Sequence, residues 1–421
     1  MNSPFRIAAI VFIFIASSIA WQVLGAVTSH RSHQQEKKLG GEVSSLWGKS
    51  QTQTGPAFRF QWETKREEEQ VEEGDGKKKT LRKNVTETHQ RGVEPEATTL
   101  RADLKLDQRL RGLVWYSLYG VTFDGQWRYR HQQPEAGKLF IDFTFPVASA
   151  IYDDFRFVVN GKDLGPALKV AEGGVNAEIA VQPGQLIELQ VHYVSRGMDD
   201  WRYQPQSKGV ANLRNFKMVV TSNFTEIDYP ADSLSPSSRQ RAGTGWELTW
   251  TFAQVLTGQA MGLVMPARIQ PGDLASELAH SAPISLMFFF LVIFVIAVLR
   301  RLDIHPINYL CLAGAFFAFH LLFAYSVDHL SVGVAFALAS VVSLVLVASY
   351  LRLVVSPAFA YREAALCQLV YQVGFAAAHF LPGYTGLTIT VLAILTLFIL
   401  MQLTGRVRWS DALARAPRPT L

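Results

Sequence analysis

The stretch that decides the fold is ISLMFFFLVIFVIAVLRR, residues 284–301. Sixteen apolar or weakly polar residues run without a charge and stop at Arg300 and Arg301. A run of this kind shows neither the period of a half-buried helix nor the alternation of a strand. It is close to the roughly 20 residues that cross hydrocarbon. Four similar runs follow or precede it: NYLCLAGAFFAFHLLFAY at 308–325, VGVAFALASVVSLVLVASYL at 332–351, TGLTITVLAILTLFILMQL at 385–403, and FRIAAIVFIFIASSIAWQVLGAV at 5–27. ALCQLVYQVGFAAAHFL at 365–381 is the weakest of the set. About six spans are expected in all. The first could instead be a secretory signal peptide. Its apolar part is long for one, and Trp21 and Gln22 stand where small cleavage-site residues belong, which favours an uncleaved anchor.

Charge orients the spans. Arg300 and Arg301, then Arg352 and Arg362, then Arg406, Arg408, Arg415 and Arg418 alternate with two short loops, 326–331 and 382–386, that hold no Lys or Arg. Basic short loops stay cytoplasmic. Both termini are therefore expected inside and the long segment 28–280 outside, in the periplasm of a bacterial inner membrane. The domains expected are an anchor at 1–27, a periplasmic β-rich domain at 28–280, a five-helix bundle at 281–405 and a cytoplasmic tail at 406–421. The whole chain is 49% hydrophobic and 18% charged, with a net charge of +5 and pI near 9.1. Many arginines flank spans, so the basic balance follows from topology and nucleic acid is not an expected partner. The cysteines, Cys311 and Cys367, both fall in apolar runs, and no Cys/His ligand cluster is visible. No cofactor is expected.

The segment before the bundle reads as strands. LVWYSLYGVTFDGQWRYR, KLFIDFTFPV, DFRFVVNGKDL, LIELQVHYVS and NFKMVVTSNF are rich in aromatic and β-branched residues, with turn signals such as Asn160-Gly161 and Pro183-Gly184 between them. Short strands so spaced favour antiparallel sheets packed as a sandwich. Near 63–90 the charged stretch EEEQVEEGDGKKKTLRK, residues 67–83, is expected as a hairpin about a three-residue turn, Gly74-Asp75-Gly76. That turn would set Glu73 against Lys77 and Glu68 against Arg82. Two short helices and a flexible charged loop compete with it.

Chemistry is scarce. No phosphate loop, zinc-protease helix or nucleophile elbow occurs. The polar residues within the spans are His320, Gln368, Gln372, His379 and Gln402. Such groups usually face a bundle interior, where they bond neighbouring helices or line a path. Asp328 and His329 share a short external loop and could form an acid–base pair, though a solvated loop is the commoner outcome. Asp153-Asp154 and Asp199-Asp200 are adjacent on strands, so their carboxylates should point to opposite faces and be solvated.

Residues 304–340, IHPINYLCLAGAFFAFHLLFAYSVDHLSVGVAFALAS, resemble the CreD family of bacterial inner-membrane proteins. His305, Pro306, Tyr309, Leu310 and Gly314 match its start. Asp328-His329 stands where Glu-His is usual, and His320 replaces a Tyr. Outside the spans, Gln51 with Gly55-Pro56, and Arg111, Gly112, Tyr119, Gly125 and Trp127, resemble two further segments of the family. Residues 65–101 have no counterpart in the resemblance. It implies a non-enzymatic protein of envelope integrity or stress response, linked in the family to colicin tolerance. Its partners would be the bilayer and envelope, cell-wall or membrane-protein components. A small transporter or channel, using the polar residues of the bundle, is the alternative. A membrane-bound periplasmic hydrolase using Asp328 and His329 is a third.

Overall fold

The structure is a computed structural model. It describes residues 3–405 and 407, apart from 75–76, 112–113, 166–167, 172, 208 and 382. The expected tail at 406–421 therefore lies almost wholly outside the described residues. Contacts divide the chain into two units, one of Met1–Leu39, Arg111–Val114 and Ile269–Leu421, the other of Gly40–Leu110 and Trp115–Arg268.

The first unit is helical. Helix α1, Ser3–Trp47, runs well past the apolar stretch that begins it, because Gln34, Gln35, Glu36, Lys37 and Lys38 are good helix formers. Helix α2 is Pro271–Leu299, α3 is Pro306–Ser326 and α4 is Val332–Val354. The next helix, α5, spans 357–380 and contains two π-helical segments, Phe359–Ala364 and Leu369–Gly374. Helix α6 is Thr385–Thr404. Among the described residues five helices are long and apolar enough to cross a membrane; α5, with its mixed geometry, is not one of them. Proline opens both α2 and α3, where its missing N–H costs nothing. One apolar cluster joins α1 to α5 through Trp21, Leu286, Phe289, Phe316, Leu351 and Tyr371.

The second unit is built from three sheets. The largest has eight strands in the order β14-β15-β13-β4-β5-β11-β7-β8. These are β4 (Ala97–Arg111), β5 (Val114–Arg130), β7 (Tyr152–Val159), β8 (Lys162–Asp163), β11 (Leu186–Met198), β13 (Ala211–Ser222), β14 (Ser238–Ala242) and β15 (Gly245–Thr257). The second has the order β3-β2-β6-β10-β9, from β2 (Ala57–Gly74), β3 (Lys77–Val93), β6 (Gly137–Thr144), β9 (Lys169–Ala171) and β10 (Gly174–Val181). The third is small: β1 (Gln51–Thr54), β12 (Asp200–Gln204) and β16 (Met261–Val264). Nearly all pairings are antiparallel. Among the described residues, the ladders between named strands that run parallel are β1 with β12 and β4 with β13.

Alternation gives each of the two larger sheets one apolar face. Phe58, Phe60, Leu139, Ile141 and Phe143 from the five-stranded sheet share a core with Leu100, Val121, Phe123, Leu189, Met218 and Trp250 from the eight-stranded one. Strands β2 and β3 form a long hairpin in which Gly74 faces Lys77, Glu73 faces Lys78 and Glu68 faces Lys83. This register differs by one residue from the three-residue turn. Gly74 joins the ladder opposite Lys77. Asp75 and Gly76 themselves lie outside the described residues.

Of the paired carboxylates Asp200 departs from expectation, while Asp153 and Asp154 are both exposed, as expected of solvated groups. Asp199 has φ of 70°, which breaks the alternation and turns Asp200 inward. Asp200 is 6% exposed and ion-paired with Arg202. Asp154, with φ of 50°, sits where the β7–β11 register slips, and it meets Arg156 at 2.9 Å and the His192 ring at 3.4 Å.

Candidate functional site

In the helical unit, among the described residues, the ion pairs of α1 lie at two levels. Near its start Arg6 pairs with Asp303 at 3.0 Å and donates to the Ile304 carbonyl at 2.8 Å. Further along, Arg31 pairs with Asp328 at 3.2 Å and donates to the Ala324 carbonyl at 2.9 Å, while Ser32 donates to Asp273 at 3.0 Å. At 1.5 Å per residue, Arg6 and Arg31 are about 37 Å apart along the helix. That exceeds the roughly 30 Å of hydrocarbon, so both charge pairs can sit outside it.

Between those levels α1 packs closely. Trp21 is fully buried and meets Phe316, Phe317 and His320 edge-on, at ring distances of 6.3, 5.3 and 5.8 Å. Gly25 faces His280 of α2. A Cβ there would overlap the His280 ring, and its carbonyl accepts from Ser276 Oγ at 3.0 Å. Burial raises the carboxyl of Asp328 above its ordinary value, against the opposing pull of Arg31. His329 is exposed. The loop thus spends its acid on a helix-to-helix ion pair.

The centre of the bundle holds a hydrogen-bonded cluster. Gln368 and Gln372 are both buried, at 0% and 1% exposure. Gln368 Nε2 donates to Ser343 Oγ at 2.8 Å and also to Gln372 Oε1. Ser343 Oγ lies 2.7 Å from Gln372 Oε1 and 2.9 Å from the Ala315 carbonyl. Gln372 Nε2 donates to the Phe316 carbonyl at 2.8 Å. The cluster therefore ties α5 to both α3 and α4. Its i, i+4 glutamines lie beside and within the second π segment, a geometry often found at functional sites. Gln368 Oε1 has no partner among the described residues.

The remaining candidates are dispersed. His320 is buried and its Nδ1 lies 3.1 Å from the Phe316 carbonyl, which Gln372 also uses. His379 keeps to its own helix, with Nδ1 3.3 Å from the Phe375 carbonyl. His305 caps α3, its Nδ1 accepting from the Ile307 N–H at 3.3 Å; Pro306 is the first helical residue. Tyr309 is 1% exposed and packs edge-on to Phe290. Sequence reasoning missed Arg31, Trp21 and Ser343. Arg31 lay just beyond the apolar run, and a serine among apolar residues carries no signal of its own.

The β unit has a second polar layer, beneath the small sheet. Gln51 and Gln53 are both fully buried. Gln51 Nε2 donates to Ser195 Oγ at 3.0 Å and to the Arg196 carbonyl at 2.8 Å. Gln53 accepts from the Tyr193 hydroxyl at 2.8 Å and donates to the Thr144 carbonyl at 3.1 Å. Tyr119 OH donates to the Asp200 carbonyl at 2.8 Å. Burial pushes the phenols of Tyr119 and Tyr193 well up, and that of Tyr152 to about 12. Gly125 makes room for the Trp127 ring, which a Cβ would overlap. Gln51, Tyr119, Gly125 and Trp127 thus hold the β core together. Among the described residues no cluster of three or more His, Cys, Asp or Glu could hold a metal ion.

A family model described as inner membrane protein CreD matches residues 2–261. The chain belongs to the CreD family. The match takes in α1 and almost all of the β unit, including residues 65–101, which had no counterpart in the resemblance. Residues 304–340, which carried the resemblance, lie outside the matched range. The chain is an inner-membrane protein with several long apolar helices and large, mostly antiparallel sheets. No curated protein matches it. A crystal structure of a candidate nutrient-binding protein from Legionella pneumophila is similar at 10% identity, over 58% of this chain and 96% of that one. Its TM-score of 0.31 is too low for the two folds to be called alike.

Proposed function

We propose that this CreD-family chain is a non-enzymatic component of envelope integrity or stress response, with a periplasmic β domain and a membrane bundle. Residues 28–280 would lie in the periplasm and both termini in the cytoplasm. The observation that carries the reading is how the polar groups of the bundle are used. Gln368, Gln372 and Ser343 are bonded to one another and to α3, and Asp328 is bonded to α1. Groups used in this way hold helices together rather than line a path for a solute. A hydrolase would need Asp328 free to polarise His329, and its carboxylate is turned to Arg31 instead. The β domain, rich in edges and free of metal-type clusters among the described residues, suits contact with envelope components.

The test is a deletion strain of the native host challenged with detergents, osmotic shock and colicins. Full-length protein should restore tolerance. An unchanged phenotype on deletion would overturn the assignment. Reporter fusions at Gly74 and Arg408 should fall on opposite sides of the membrane; both on one side would overturn the topology.

A further inference from the structure

We propose that strand β14 is a docking edge for an extended, acidic peptide segment of a partner protein. Three observations meet there. First, β14 is the terminal strand of the eight-stranded sheet and pairs only with β15 among the described residues. In an antiparallel edge every second residue turns its N–H and C=O away from the sheet, free to accept another strand. Second, Arg239 and Arg241 lie two apart on β14, so both side chains leave one face. Third, both are stacked on one ring. The Arg239 guanidinium carbon is 3.6 Å from the centroid of Trp246, and that of Arg241 is 4.3 Å from it.

The ring is itself held. Trp246 is half-buried on β15, opposite Arg241, and its indole N–H donates to the Thr225 carbonyl at 3.0 Å. The two guanidiniums are exposed, and neither forms an ion pair with a described carboxylate. Stacking removes much of their rotational freedom before any partner arrives. A planar guanidinium so fixed is ready to take a carboxylate with two parallel hydrogen bonds. Charged residues on an edge strand often serve simply to repel other strands. Such a guard works by charge projecting over the edge, whereas here both guanidinium carbons are held over one indole.

The chemistry selects the occupant. The strand reads SRQRA and offers no apolar side chain larger than alanine, so it has no pocket for a hydrophobic anchor. What it offers is a backbone ladder and two cations at the spacing of alternate strand residues. A peptide with carboxylates at i and i+2 matches both in one pose, by strand addition.

The test uses the full chain in nanodiscs of zwitterionic lipid. The probe is a short fluorescent peptide alternating valine and glutamate, followed by anisotropy. Binding should strengthen as salt falls. Arg239→Gln with Arg241→Gln should weaken it at least about tenfold, as expected for loss of charged hydrogen bonds. Arg239→Lys with Arg241→Lys keeps the charge and loses the planar fork, and should fall between. Backbone N-methylation of the peptide should also weaken binding. Circular dichroism and melting of each variant distinguish lost binding from lost folding. No binding by the native chain, equal binding by the glutamine variant, or indifference to N-methylation overturns the proposal. So does arginine-dependent binding of phosphatidylglycerol vesicles without binding of the peptide.

Discussion

Gln372→Leu distinguishes a polar staple from a polar path. Gln372 is the hub of the bundle cluster: it accepts from Ser343 at 2.7 Å and from Gln368, and donates to the Phe316 carbonyl at 2.8 Å. Leucine is of similar size and lacks only the amide, so the packing cost is small. The Ser343 and Phe316 bonds cross to other helices. Interhelical bonds in a membrane average about 0.6 kcal/mol each, so their loss should cost about 1.2 kcal/mol, or roughly eightfold in the unfolding equilibrium. Few groups are stranded, since the one Ser343 hydroxyl proton can turn fully to the Ala315 carbonyl at 2.9 Å, and Gln368 still donates to Ser343 at 2.8 Å. The assay is reversible unfolding in mixed micelles, with Ser343→Ala completing a double-mutant cycle. The cycle should return a coupling near 0.6 kcal/mol. Unchanged stability together with loss of envelope tolerance would refute the reasoning, because the group would then be acting on something that passes through the bundle.

Gly25→Leu places side-chain atoms where the His280 ring lies and should push α1 off α2, at a cost of about 1–3 kcal/mol; increased protease sensitivity near residue 28 would report it. Reversing the outer ion pair offers a rescue test. Arg31→Glu should lower the melting temperature, and adding Asp328→Arg should recover part of the loss. The β unit should be sensitive to alkali. Burial raises Tyr119, Tyr152 and Tyr193, so the folded state holds their protons above the ordinary phenol value of about 10, where the unfolded chain releases them. Their contribution is intact below that pH and is lost as pH rises through about 12, the value reached by Tyr152. Tyrosinate absorbance should therefore appear with unfolding rather than before it.

Much of this architecture is legible in the residues. Helices α2, α3, α4 and α6 follow from apolar runs too long for any soluble element. The strands follow from alternation. The misses have local causes. Helix α1 continues past its apolar part because the residues after it are good helix formers, so hydropathy and helix ends do not coincide. The inward turn of Asp200 depends on the positive φ of its neighbour, and alternation cannot foresee it. The glutamine pair is visible at i, i+4, but its partner Ser343 depends on how α4 is rotated. The π segments have no evident cause in residues 359–374; no proline lies within them.

Several contacts that close this fold are remote in sequence, and that has a bearing on how it is made. Gln51 faces Trp201 across the β1–β12 ladder, Leu100 faces Met218 across the β4–β13 ladder, and Arg6 reaches Ile304, 298 residues away. A high mean sequence separation slows folding, because loop-closure entropy is lost before any contact repays it. During synthesis α1 emerges before the helices it packs against. Its Trp21 then waits for Phe316 and Phe317, which emerge nearly 300 residues later. Through that interval both the seam of α1 and the ladder edges are open to other molecules. Production of the chain should therefore be limited by assembly time more than by final stability.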